Sequence, residues 1–207
     1  MTVLVAAPAG AEALVPEGTA PPSDIAPEIF AAALSCHLGL RRLDMKTLAA
    51  ELGVGRATLY RRVRSRDHLL GEVLWYLTRR ALVRALRETS ALRGGDRVLA
   101  VVDRFSRMVA EQPDLRRLLE AEPETALRVL TSRHGPVQTG LVNALARLLE
   151  AEGIDPGFDA PTLAYVIVRI GESFLYADVI GHGEPDVDAA LHIVERLLDA
   201  ERQEAAA

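Results

Sequence analysis

The stretch MKTLAAELGVGRATLYRRV, Met45 to Val63, decides the fold of the chain around it. It predicts one short amphipathic helix, Met45 to Leu52, and a second from about Arg56 to Val63, joined at Gly53 by a sharp turn. A side chain would clash in that turn, which favours glycine. This is the spacing of a helix-turn-helix.

The second of these helices carries side chains suited to DNA. Small residues at its start let the backbone approach base edges, and Arg, Thr and Tyr offer donors to bases and phosphates. The alternative is an ordinary helical hairpin, with Tyr60 in the core and arginines that are merely solvated.

Charge is divided unevenly along the sequence. Residues 41 to 84 contain eleven Lys and Arg against four Asp and Glu, which gives this segment a net charge of +7. Because the whole chain has a net charge of −5, the residues outside the segment carry a net charge of −12. A basic segment joined to an acidic one suits a polyanion-binding module attached to a body that does not bind DNA. A solvated helix face is the alternative on charge alone.

No window of the sequence alternates apolar and polar residues with the period of two that a β-strand shows, so we predict an all-α protein. The helical segments number nine or ten. Residues 1–22 are predicted to be a flexible leader, 23–70 a three-helix helix-turn-helix domain, and 71–207 a helical ligand-binding and dimerisation domain. A long helix is expected from Arg66 to about Thr89, and strongly apolar ones over Val137 to Glu152 and Asp159 to Ile180.

Several functional classes find no support. The sequence lacks a phosphate-binding loop, a nucleophile elbow and closely spaced metal ligands, so we predict no catalytic residue, no metal and no cofactor. It lacks an apolar run long enough to span a membrane, and Cys36 is its single cysteine, which indicates a reducing, cytoplasmic location. The alternatives to a DNA-binding regulator are a helical adaptor and, less favoured, a small-molecule enzyme.

The segment from about Ile25 to Leu70 resembles the N-terminal domain of the TetR family of transcriptional repressors. Arg64 departs from that pattern, since the family usually has proline or glycine there, and Val63 replaces a bulky aromatic. The matching residues are Leu48, Ala49, Gly53, Val54, Thr58, Leu59, Tyr60, Ser65, Arg66, Asp67 and Leu69.

The resemblance implies a homodimer that reads a palindromic operator in double-stranded DNA. Tyr60 and Arg66 would contact phosphates, and Lys46 the DNA backbone. The residues facing the major groove would be Arg56, Ala57, Thr58 and Arg61.

In the family, a pair of helices from the body forms a four-helix dimer bundle. The corresponding apolar candidates here are Leu141, Leu145, Leu148, Tyr165, Val168 and Phe174. Filling of the monomer core is the alternative, which periodicity does not separate from dimerisation.

The body also offers candidates for binding a small-molecule effector: Tyr165, Arg169, Glu172 and His134. A charge on so apolar a helix must be paired or liganded, so Arg169 and Glu172 form either an ion pair or a polar anchor. His134 is alternatively an exposed loop residue.

Glu122 to Gln138, EPETALRVLTSRHGPVQ, is similar to the C-terminal domain of the QsdR-like branch of the family. This similarity implies an apolar or lactone-like effector. The long helix from Arg66 would then act as a lever between effector and DNA.

Overall fold

The computed structural model describes residues 10–15, 20–154, 157, 159–181 and 183–204. Twelve helical segments and no strand occur within these ranges, which confirms the all-α prediction. Two of the segments are single turns and ten are longer, which agrees with the predicted nine or ten helices. The bounds are α1 Ala11–Leu14, α2 Pro27–Leu38, α3 Met45–Glu51, α4 Arg56–Val63, α5 Arg66–Glu88, α6 Gly94–Ala110, α7 Pro113–Ala121, α8 Pro123–Thr131, α9 Pro136–Ala151, α10 Ala160–Leu175, α11 Ala177–Ile180 and α12 Val187–Glu204.

Local chemistry sets the ends of α3 and the start of α5. The Thr47 N–H donates to Asp44 Oδ1 at 2.8 Å, so Asp44 caps α3. Gly53 has φ +64°, a left-handed conformation that ends α3 at low cost only for glycine. The His68 N–H donates to Ser65 Oγ at 3.0 Å, which caps α5.

The chain divides into two compact units. The helix-turn-helix unit comprises Thr19–Arg80 and Met108–Gly140, and the α10–α12 unit comprises Met1–Gly18, Ala81–Arg107 and Leu141–Ala207. Helix α5 thus contributes residues to both units. The boundaries 23–70 and 71–207 remain a prediction.

Part of the predicted leader packs into the α10–α12 unit. Leu14 and Val15 are buried, and Arg147 Nη1 donates to the Leu14 carbonyl at 3.3 Å. Residues 1–9 and 16–19 of the leader lie outside the described residues.

The apolar helix expected over Asp159 to Ile180 is two helices, so that prediction was wrong. Asp159 caps α10, and the chain leaves helical geometry at Tyr176, with φ −111° and ψ 22°, before α11. The apolar composition of this segment predicts that it is buried, but it does not predict that the helix ends at Leu175. Among the described residues, no helix is long and apolar enough to cross a membrane.

Candidate nucleic-acid interface

Helix α4 is anchored by its apolar side. Leu59 and Val63 are fully buried, and Leu48 and Ala49 of α3 are buried as well. The two helices pack against each other, as a helix-turn-helix requires. Packing behind α4 therefore determines which of its side chains face solvent.

The opposite side of α4 is open to solvent. Arg56, Ala57, Tyr60 and Arg61 are exposed and Thr58 is half-buried. The alternative in which Tyr60 fills the core does not describe this structure, because its ring is on the surface. Contact of these residues with DNA remains a prediction.

Three predicted DNA contacts carry charges that no described residue pairs with. No carboxylate of the described part of the chain lies within ion-pairing distance of Lys46, Arg56 or Arg61. Arg62, in contrast, lies 3.6 Å from Glu28. An exposed, unpaired cation is available to a phosphate without first breaking a protein contact.

Arg66 is differently placed from the other predicted contacts. Its Nε donates to the Leu43 carbonyl at 2.6 Å, and its Nη2 donates to Glu122 Oε1 at 2.7 Å. The side chain is only 20% exposed. Arg66 therefore braces the chain before α3 against the junction of α7 and α8, and a phosphate would have to compete with both contacts.

A second contact joins α2 to α7 in the same unit. His37 Nε2 lies 2.9 Å from Asp114 Oδ2, and both side chains are buried. The contact is close but not well aligned for a hydrogen bond. The His37 imidazole holds the pKa of the Asp114 carboxyl below its ordinary value. The sequence does not predict the His37–Asp114 contact or the role of Glu122 as the partner of Arg66, because in both cases the partners are far apart along the chain.

Arg64 occupies the tight turn between α4 and α5. Its φ is +63° and its ψ is −65°, and the Ser65 N–H donates to the Val63 carbonyl at 2.7 Å. This is a γ-turn, a conformation that strains any residue with a Cβ. One of the two positions at which the sequence departs from the family pattern is thus strained.

Two of the predicted effector-binding residues form an ion pair. Arg169 Nη1 donates to Glu172 Oε2 at 2.6 Å, and Glu172 is buried whereas Arg169 is partly exposed. Burial raises the pKa of Glu172 to about 7 against the lowering effect of Arg169. Tyr176, which follows Glu172 at helical spacing but is not among the residues predicted from the sequence, is also buried, and burial raises the pKa of its phenol.

The other two effector candidates are on the surface. Tyr165 is 49% exposed, and His134 is exposed and belongs to the helix-turn-helix unit. Within the described residues, Arg169 and Glu172 are the pair of the predicted set that shares a hydrogen bond.

The predicted dimer residues differ in burial. Leu148 is 1% exposed and Leu145 is also buried, so both already fill the core of the single chain. Leu141, Val168 and Phe174 are half-buried. Tyr165, also predicted, is exposed, and Val166 of α10 and Ile193 of α12 are further exposed large apolar residues among those that the structure describes.

An all-helical chain with a basic, solvent-facing helix-turn-helix belongs to the class of DNA-binding regulators. Comparison with known proteins gives the family. The protein-family model of the tetracyclin repressor-like C-terminal domain matches residues 93–199. The structure of the transcriptional repressor QsdR from R. erythropolis, of the TetR family, is similar with a TM-score of 0.74 and 34% sequence identity, over 82% of this chain and 92% of that one. No curated protein matches.

The chain belongs to the TetR family of transcriptional regulators. Members of this family bind DNA and an effector, and typically form dimers. They are not enzymes.

Proposed function

We propose that this protein is a cytoplasmic transcriptional repressor that binds a palindromic operator as a homodimer and is released by a small-molecule effector. The observation that carries the proposal is the solvent-facing side of α4, on which Arg56 and Arg61 have no acidic partner among the described residues. The similar structure of QsdR is that of a repressor, which supports the direction of control.

The α4 face would enter the major groove. Its anchoring by Leu59 and Val63 holds the helix backbone in one orientation, which lowers the entropic cost of binding. Arg56, Ala57, Thr58 and Arg61 would face the bases, with Tyr60 and Lys46 on phosphates. Arg66 would act through its contacts with Leu43 and Glu122 by holding the helix-turn-helix in place.

A second copy of the chain would cover the exposed side of α10. Tyr165 and Val166 are adjacent and exposed there, and α10 packs along α12, which exposes Ile193. The half-buried Leu141, Val168 and Phe174 complete the proposed set. We leave out Leu145 and Leu148, since their side chains are already buried in the single chain.

The dimer face is testable by sedimentation velocity. Val166→Asp is expected to shift the protein to monomer, because a buried unpaired charge opposes association. Leu92→Asp is the matched control, since Leu92 is an exposed apolar residue of the same unit outside the proposed face. Equal sedimentation of the parent and the Val166→Asp variant would contradict this face.

The effector would be small and apolar or lactone-like, as the similarity to the QsdR-like branch implies. Helix α5 begins directly after α4 and contributes to both units, so an effector that favours one tilt of α5 changes the separation of the two recognition helices. Such an effector alters DNA affinity only by its differential affinity for the two states.

The test is capture of genomic fragments by the purified protein, followed by footprinting. We expect enrichment of palindromes with half-sites about 34 Å apart or slightly more. Arg56→Ala and Tyr60→Ala should abolish the footprint, whereas Arg117→Ala, which removes an exposed arginine of α7, should keep it. Absence of palindromic enrichment at low salt would contradict the proposal, and an adaptor would tolerate all three changes.

A further inference from the structure

Gln138 is a buried amide whose hydrogen bonds are not made. The residue is 3% exposed, and neither its Nε2 nor its Oε1 has a partner among the described residues. Buried polar groups in folded proteins are nearly always hydrogen-bonded, because leaving one unpaired costs its full hydration free energy. A chain that keeps such a residue therefore needs a reason other than packing.

The position of Gln138 on α9 determines which way the amide points. The Pro136 ring lies against Gly71 of α5, and one turn later the backbone at Gly140 lies so close to Trp75 that an added Cβ would be 2.3 Å from the indole ring. Pro136 and Gly140 thus share the side of α9 that faces α5. Gln138 lies about 200° around the helix axis from Pro136, so its side chain leaves the opposite side.

Gln138 lies at the N-terminus of α9, which is sixteen residues long. The Thr139 N–H bonds back to the Gly135 carbonyl at 3.1 Å, which places Gln138 in the first turn. Backbone N–H groups of the first turn have no acceptor within their own helix and carry the positive end of the helix dipole. Pro136 has no N–H and the Gly135 N–H donates to the Ser132 carbonyl, so the start of α9 offers the Val137 and Gln138 N–H groups as donors and Gln138 Oε1 as an acceptor.

We propose that the Gln138 amide and the first turn of α9 bind the polar head of an uncharged ligand that carries a carbonyl oxygen and an N–H donor on an aliphatic chain. The inference rests on the proposed effector function and names the chemical class of the effector. A carboxylate has no donor for Gln138 Oε1, so that oxygen would stay unpaired and would face a negative charge. An amide matches both orphaned atoms of Gln138 without any charge to neutralise.

Binding is measured by isothermal titration calorimetry, because Trp75, the single tryptophan, packs on α9 at Gly140, on the side opposite to Gln138. Hexanamide, octanamide and decanamide are titrated into the full chain without DNA, and the matching carboxylates serve as head-group controls. We expect saturable heats of binding with the amides and at least tenfold weaker binding of the carboxylates. Gln138→Leu should weaken amide binding at least tenfold, and Gln112→Leu, at an exposed glutamine of the same unit, should leave it unchanged.

Thermal unfolding separates a binding role from a structural one. Gln138→Leu removes two unpaired polar atoms and is expected to raise Tm by a few degrees. A lower Tm would show that Gln138 has a structural partner and would overturn the inference. It would also be overturned if no amide gave saturable binding, or if amides bound Gln138→Leu as tightly as the parent protein. Loss of operator binding with intact amide binding would contradict only the proposed repressor function.

Discussion

Arg66 Nη2 donates a hydrogen bond to Glu122 Oε1 across 56 positions of sequence, at 2.7 Å. The contact ties the start of α5 to the junction of α7 and α8. We expect Arg66→Ala and Glu122→Ala each to lower the free energy of unfolding by about 2 kcal/mol, because each removes this charge-assisted hydrogen bond. In Arg66→Ala, Glu122 keeps the exposed Arg42, whose Nε lies 3.4 Å from the same oxygen. Urea unfolding of both single variants and the double variant should give a coupling energy of about 1 to 2 kcal/mol. Additive losses would contradict the brace.

The salt dependence of operator binding separates phosphate contacts from the brace. Removing one cation from a phosphate reduces the slope of log K against log salt by about 0.9. Lys46→Ala is expected to reduce the slope by that amount, since Lys46 is exposed and has no acidic partner among the described residues. Arg66→Ala is expected to keep the slope of the parent protein. Fluorescence anisotropy at four salt concentrations measures both, and a reduced slope for Arg66→Ala would assign that residue to the DNA.

Glu172 makes stability depend on pH. Its pKa is raised from 4.5 to about 7 in the folded chain, so its contribution to stability is complete below about pH 4.5 and is lost as the pH rises through about 7. Relative to the parent protein, Glu172→Gln should gain stability between pH 5 and pH 8. Urea unfolding at four pH values checks this, with Glu150→Gln as an exposed control. A pH-independent difference between Glu172→Gln and the parent would rule out the raised pKa.

A buried ion pair stabilises the α10–α12 unit. Arg97 pairs with Glu152, both side chains are almost fully buried, and the Gly94 N–H donates to Glu152 Oε2 at 2.7 Å. Glu152→Ala leaves a buried arginine without this partner and is expected to cost about 3 to 5 kcal/mol. Glu150→Ala, at an exposed position in the last turn of α9 just before Glu152, should cost less than about 0.5 kcal/mol. Chemical denaturation of the two variants side by side measures the contrast, and similar losses would be inconsistent with a buried pair.

The turn at Arg64 stores strain that glycine would release. At φ +63° a Cβ is unfavourable, so Arg64→Gly should be about 1 kcal/mol more stable than Arg64→Ala, which keeps the Cβ but removes the same charge. Comparing these two variants isolates the backbone effect from the loss of the guanidinium. Equal melting temperatures for the two would show that the turn is not strained.

The helix-turn-helix was predictable from its sequence because its determinants are local. Asp44 caps α3 through a residue three positions away, Gly53 takes the left-handed turn, and helical periodicity separates Leu59 and Val63 from the exposed Tyr60. Each of these follows from spacings of a few residues, which elementary helix geometry converts into faces and ends.

Which partners several charged and polar side chains have was decided only by the tertiary structure. The resemblance implies that Arg66 binds phosphate, which stays a prediction, and in the folded chain its guanidinium donates to the Leu43 carbonyl and to Glu122. His37 and Asp114 meet in the interior from distant helices, and Gln138 is buried without a partner among the described residues. Periodicity states which residues are buried but not what surrounds them, because the partners of a buried polar group are brought together by packing between helices far apart in sequence.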